Sequence, residues 1–222
     1  VPSAPSATLT RGFGDCKDQA ALLVALLRAA HLPANLVLLS TGPGLDVDRA
    51  LPGMMFDHPI VRARAGGRDL WIDSTEPDLP AGQLPARDQG RLALIVAPDT
   101  RDLTPTPVAA NADNLIREVR TYRLAELDHG SVHEETVDHG VFAGTLRAMV
   151  RDTARTELEK QLADYAQSTY ESRQVTIGAA PRGPVTQPYT MVLDVADSPR
   201  VHTDQDEISV ATPLWGPVQQ VP

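Results

Sequence analysis

The chain has 222 residues, 42% of them hydrophobic and 4% aromatic, with 20 basic and 29 acidic side chains and a net charge of −9. That length suits two modest domains. The negative charge argues against nucleic acid or an anionic membrane surface as a partner, no apolar run is long enough to span a bilayer, and the single cysteine, Cys16, excludes an intramolecular disulfide framework.

In chain order, residues 1–10 read as a Pro/Ser lead-in. A helix is predicted over residues 17–30, reading Ala20-Ala21-Leu22-Leu23-Val24-Ala25-Leu26-Leu27 and apolar nearly all round, which predicts burial. Asp15 is a good N-cap, and Asp18 three residues later approaches a capping box. Cys16 then occupies the first helical position, where orphan N–H groups and the helix dipole favour an anion such as a thiolate. Lys17 adds positive charge, and Gly12 and Gly14 allow a tight backbone and close approach by a substrate. A buried, inert cysteine is the plain alternative. The polar neighbours Asp15, Lys17 and Asp18 argue against it.

A strand is predicted at Asn35–Ser40, followed by a Gly- and Pro-containing loop, Thr41–Met55. Met54, Met55 and Phe56 suit either the lining of a cleft or simple anchoring of that loop. Two strand-like runs, 58–64 and 69–75, then flank Gly66-Gly67, a hairpin signal. Pairing Ala65 with Arg68 sets Ala63 opposite Leu70 and Val61 opposite Ile72 on one face. The other face carries Ile60 opposite Asp73 and His58 opposite Thr75. His58 and Asp73 are then diagonal neighbours, roughly 7–8 Å apart at the backbone and within side-chain reach. The pattern therefore predicts a His58–Asp73 contact from the residues alone.

Glu76–Gln89 reads as a Pro-rich loop, Arg91–Ala97 as a strand and residues 101–114, with Pro105 and Pro107, as a linker between domains. Beyond it, Leu115–Leu127, Ser131–Asp138 and Val141–Val150 are predicted as three antiparallel strands, joined at Asp128-His129-Gly130 and His139-Gly140. A helix over 152–171 follows, then strands at Arg173–Ile177, Tyr189–Ala196 and Ile208–Thr212. Asp128, His129, His133, Glu134, Glu135, Asp138 and His139 invite a metal reading. On this strand assignment His129 and His139 sit at opposite ends, roughly 30 Å apart. The pattern therefore predicts no metal site and no cofactor, and Gly12-Phe13-Gly14 lacks the context of a nucleotide loop.

The order Cys16, His58, Asp73 resembles the bacterial transglutaminase-like superfamily. The residues that carry the likeness are Gly14-Asp15-Cys16-Lys17-Asp18, the apolar helix ending Leu27-Arg28-Ala29-Ala30-His31-Leu32-Pro33-Ala34, and Trp71-Ile72-Asp73-Ser74-Thr75. The resemblance covers about residues 8–97 and is closest to the branch that also carries a DUF3857 domain. It implies an α+β fold: a partial papain-like core (residues 1–100) with a central helix packed on an antiparallel sheet, then a β-rich domain with one helix (residues 115–222). It implies Cys16 as nucleophile, His58 as general base and acid, and Asp73 as the group that orients the imidazole. The same roles follow from residue chemistry. The expected function is acyl transfer on amide bonds through a thioester, with hydrolysis of a peptide or isopeptide preferred and a protein or peptide as substrate. A non-catalytic protein- or polysaccharide-binding module is the alternative. Relatives are often exported, so a periplasmic or cell-envelope location is expected. The start Val1-Pro2-Ser3 lacks Met and lies close to Cys16, so the chain reads as part of a longer protein.

Overall fold

The computed structural model describes residues 1–42, 47, 56–178 and 183–212. Among these residues there are four α-helices and two antiparallel sheets of five strands each, an α+β fold. The chain divides into two compact units: Val1–Leu115 with Gly140–Gly144, and Ile116–His139 with Thr145–Pro222. No described helix is long and apolar enough to cross a membrane.

Unit 1 opens with α1 (Pro5–Arg11), where the sequence suggested only a lead-in. Pro5 fixes a helical φ in the first turn, and Gly12, in the left-handed region at φ 76°, ends the helix by donating its N–H to the Thr8 carbonyl. Then come α2 (Cys16–Ala29), β1 (Ala34–Leu39), β2 (His58–Ala65), β3 (Arg68–Ile72), β4 (Leu92–Ile95) and β5 (Thr104–Pro105). The sheet order is β3-β2-β1-β4-β5. β5 lies within the stretch expected as linker, and Thr106 beside it is buried and donates to the Asp88 carbonyl.

The β2–β3 hairpin has the expected register, Ala65 with Arg68, Ala63 with Leu70 and Val61 with Ile72. Gly66 and Gly67 both have positive φ, 57° and 76°, which a two-residue turn of this hand requires. The two faces of the sheet bury different layers. Ala34, Val61 and Ala63 meet Ala20 and Val24 of α2. Val37, Leu39, Ile60, Trp71, Ala93 and Ile95 form the core of the other face with Leu84. Because side chains alternate along a strand, His58 belongs to the Ile60 face.

α2 is not buried all round. Ala20 and Val24 are sealed against the sheet, Leu22, Leu23 and Leu27 are half-buried, and Leu26 is 49% exposed. Composition alone overstated its burial because one sheet covers only one stripe of a helix. In the loop before β2, Met54 and Met55 lie outside the described residues, while Phe56 is half-buried.

Unit 2 contains β6 (Ile116–Arg123), β7 (Asp128–Asp138), α4 (Arg155–Tyr170), β8 (Val175–Ile177), β9 (Tyr189–Thr203) and β10 (Ile208–Val210), with sheet order β10-β9-β7-β6 and β8 paired to β9. α3 (Gly140–Asp152) replaces the strand expected at Val141–Val150. Ala143, Leu146 and Val150 recur at helical spacing there, and that period prevails over the strand. Leu146 and Val150 pack beside Leu162, Met191 and Leu193. Asp128-His129-Gly130, expected as a turn, belongs to β7.

The core of this unit is polar at one point. Glu134 is 4% exposed, and its carboxylate accepts hydrogen bonds from the Tyr170 and Tyr165 hydroxyls and from Arg120 Nε at 3.2 Å. Ala166 and Tyr170 of α4 bury the surrounding apolar surface against Val132, Val195 and Val201.

Candidate active site

Cys16 is the first residue of α2 and is half-buried. The Asp15 side chain caps the helix by accepting from the Asp18 N–H at 3.2 Å. The reciprocal half of a capping box is absent. The Asp18 carboxylate instead accepts from the Ser3 N–H at 2.7 Å and from Arg11 at 2.9 Å, tying the chain ahead of α1 and the end of α1 to the first turn of α2. Lys17 pairs with Asp15, so its charge is spent on the capping carboxylate. Gln19 Nε2 donates to the Gly14 carbonyl at 2.8 Å and braces the loop ahead of the thiol. A Cβ on Gly14 would lie 2.5 Å from Asp18 Cβ and 3.0 Å from Thr8 Cγ2. The room that Gly14 leaves is filled by the protein itself rather than kept for a substrate.

His58 opens β2 opposite Leu39 of β1, and Asp73 follows directly on β3. The expected contact is formed: His58 Nε2 lies 3.0 Å from Asp73 Oδ2. Asp73 is fully enclosed and saturated. Its Oδ1 accepts from the Thr75 N–H at 2.8 Å and the Thr75 hydroxyl at 2.7 Å, and its Oδ2 also accepts from Arg87 at 2.9 Å. Burial of Asp73 opposes its ionisation, but the hydrogen bonds from His58 and Thr75 outweigh burial and hold the carboxyl well below the usual range. The Asp73 hydrogen bond raises the His58 pKa against the opposing effect of burial.

A second carboxyl stands behind this pair. Asp88, at the end of the 3₁₀ turn Ala86–Asp88, has no exposed surface, and neither of its carboxylate oxygens has a hydrogen-bond partner. Burial, and then the neighbouring Asp73 charge, pushes Asp88 up to about 7. Ligand atoms of His58, Asp73 and Asp88 lie within 4.8 Å of one another. The Arg87 guanidinium already occupies Asp73 Oδ2 and bridges to Glu76 at 2.7 Å, which favours a proton on Asp88 over a bound cation. Thr75, Arg87 and Asp88 are the site residues that sequence reasoning missed. Thr75, two residues after an Asp, carries an Asx-turn signal that sequence offers. Arg87 and Asp88 lie in a Pro-rich loop with no periodicity to mark them.

The chain path sets where Cys16 stands relative to this group. Arg28 Nε donates to the Ala34 carbonyl at 2.9 Å, and Ala34 pairs with Ala63, so the C-terminal end of α2 is fixed at the Ala63 end of β2. From Cys16 to Arg28 the helix rises about 18 Å, and from His58 to Ala63 the strand runs about 17 Å. The N-terminus of α2 is thus directed toward the His58 end of the sheet. α2 covers the Val61 face, whereas His58 and Asp73 belong to the other, and among the described residues no hydrogen bond joins the Cys16 thiol to His58.

The family profile of the transglutaminase-like superfamily matches residues 1–52. The match takes in Cys16 and α2 but stops short of His58 and Asp73. Searches of curated proteins and of solved structures found no match.

Proposed function

We propose that this chain performs cysteine-dependent acyl transfer on amide bonds, with Cys16 as nucleophile, His58 as base and acid, and Asp73 as the residue that orients the imidazole. The observation that carries this reading is the His58 Nε2–Asp73 Oδ2 hydrogen bond. It stands at the end of the sheet toward which the capped N-terminus of α2 is directed. The partial likeness to the transglutaminase-like superfamily over residues 1–52 supports it.

With Nε2 engaged by Asp73, Nδ1 of His58 is the nitrogen that takes the thiol proton. The thiolate then attacks an amide carbonyl, and the oxyanion is stabilised by the Cys16 backbone N–H, one of the orphan donors of a helix N-terminus. His58 returns the proton to the departing amine and a thioester remains. Water, deprotonated by His58, completes hydrolysis; an incoming amine completes transfer. Apo catalytic pairs are commonly open and tighten with substrate, which accommodates the absent Cys16–His58 hydrogen bond. We favour hydrolysis of a peptide or isopeptide bond, acting on a protein or peptide in the periplasm or cell envelope.

A second reading is a non-catalytic binding module. It is favoured by the same missing hydrogen bond and by the placement of α2 and His58 on opposite faces of the sheet.

Alkylation separates the two. Iodoacetamide labelling of Cys16 at pH 6, followed by intact mass, should run at least tenfold faster in the wild type than in His58→Ala. Equal rates would sink the enzyme reading. Peptides bearing Gln and Lys, incubated with the active protein, then distinguish hydrolysis from transfer by product mass.

A further inference from the structure

We propose that Asp128, His129 and His202 form a binding site in unit 2 for one divalent transition-metal ion of the zinc type. The site is independent of Cys16 and of the His58–Asp73 pair.

The two imidazoles come from adjacent strands. His129 of β7 is registered directly opposite His202 of β9, with ring centroids 5.8 Å apart. The register shifts immediately after this pair, at His129/Gly130. Gly130 makes the close approach possible: a Cβ there would lie 2.4 Å from the Arg123 carbonyl oxygen and 2.6 Å from Val201 Cγ1. Asp128 stands beside His129 at φ 92°, a conformation rare for a residue with a side chain. One ligand atom from each of Asp128, His129 and His202 falls within 4.8 Å of the others.

The hydrogen bonds around the cluster leave donor nitrogens for an ion. His129 Nδ1 lies 2.9 Å from Asp197 Oδ1, so Nδ1 carries the proton and Nε2 presents its lone pair. That Nε2 is 3.9 Å from Asp128 Oδ1, too far for a hydrogen bond. Two ligands of a tetrahedral zinc ion, each about 2.1 Å from the metal, stand about 3.4 Å apart, so a small closure suffices. A carboxylate on the far nitrogen is the usual outer support of a metal-bound histidine. Asp197 is itself held by Gln174 Nε2 at 3.0 Å. His202 Nδ1 is buried and has no hydrogen-bond partner.

Two imidazoles and one carboxylate suit zinc and its transition-metal neighbours, whereas calcium and magnesium require oxygen-rich cages. The Asp128 side chain is 82% exposed, so water completes the coordination.

The test is titration of Zn²⁺ alone into the untagged full chain at pH 7.5 by isothermal calorimetry. One saturable equivalent is expected. His129→Gln and His202→Asn should each weaken binding at least tenfold, and Asp197→Asn about tenfold. Cys16→Ser and His139→Gln should bind zinc as the wild type does, and a large excess of Ca²⁺ should not compete. Zinc should raise the melting temperature of the wild type but not of His202→Asn, a readout that also shows the variant is folded. Failure to saturate, binding that survives the His129→Gln/His202→Asn double substitution, or loss of binding in Cys16→Ser would each overturn the proposal.

Discussion

His58 and Asp73 meet at 3.0 Å although the β2–β3 ladder stops at the Val61–Ile72 pair, one residue short of Asp73. The contact is held from beyond the ladder, by Thr75 on Asp73 Oδ1 and Arg87 on Asp73 Oδ2. Removing the carboxylate while keeping its shape should expose this dependence. In Asp73→Asn the His58 pKa should fall, because the hydrogen bond that raises it is weakened while the burial that lowers it stays. An NMR titration of the imidazole reads the shift; an unchanged pKa would contradict the assignment.

Asp88 gives a stability prediction with a definite sign. Its folded value of about 7 exceeds its ordinary value of 3.8, so between those pH values the native state binds the extra proton and stability falls as pH rises. His58 acts in the same direction, since its folded pKa is raised and its contribution is lost as pH climbs through that value. Asp73 acts oppositely, its contribution present above the ordinary carboxylate range and lost in acid. Asp88→Asn, which mimics the protonated acid, should stabilise the chain at pH 8 by roughly 2 to 4 kcal/mol. At pH 4 the same substitution should change little. Thermal melts at the two pH values check this.

Thr75→Val keeps the backbone donor to Asp73 Oδ1 and removes the hydroxyl donor. A hydrogen bond to a charged group is worth about 1.5–3 kcal/mol. Denaturant unfolding should show a loss of that order, and alkylation of Cys16 at pH 6 should slow as His58 loses its fixed partner.

Gly14→Ala places a Cβ 2.5 Å from Asp18 Cβ, in the same turn as the thiol. The first turn of α2 must shift. The expected result is a melting temperature lower by several degrees and slower labelling of Cys16, whereas Gly12→Ala, with nothing within 4 Å of its Cβ, is strained only through its φ of 76°.

In unit 2, Tyr170→Phe deletes one donor to the buried Glu134 and should cost about 1.5–3 kcal/mol. Glu134→Ala removes the acceptor shared by Arg120 Nε and two tyrosine hydroxyls, while Arg120 keeps its pair with Glu118, and should cost more than Tyr170→Phe. Urea unfolding ranks the two; a smaller loss in Glu134→Ala would mean that the network relaxes into water.

What the sequence determined by itself is local. Asp15 ahead of Cys16 set the start of α2, and Gly66-Gly67 set the hairpin register that brings His58 to Asp73, because capping and two-residue turns are governed by near neighbours. Short-range pattern failed at Val141–Val150, where apolar spacing fits two periods and only packing beside Leu162 and Met191 selects the helix. Only the tertiary structure decided that Asp88 and Arg87 stand beside Asp73, that Leu26 is left exposed, and that His202 meets His129 rather than His139. Those relations join residues far apart in the chain, and strand pairing and burial, which bring them together, leave no trace in the spacing of the residues they unite.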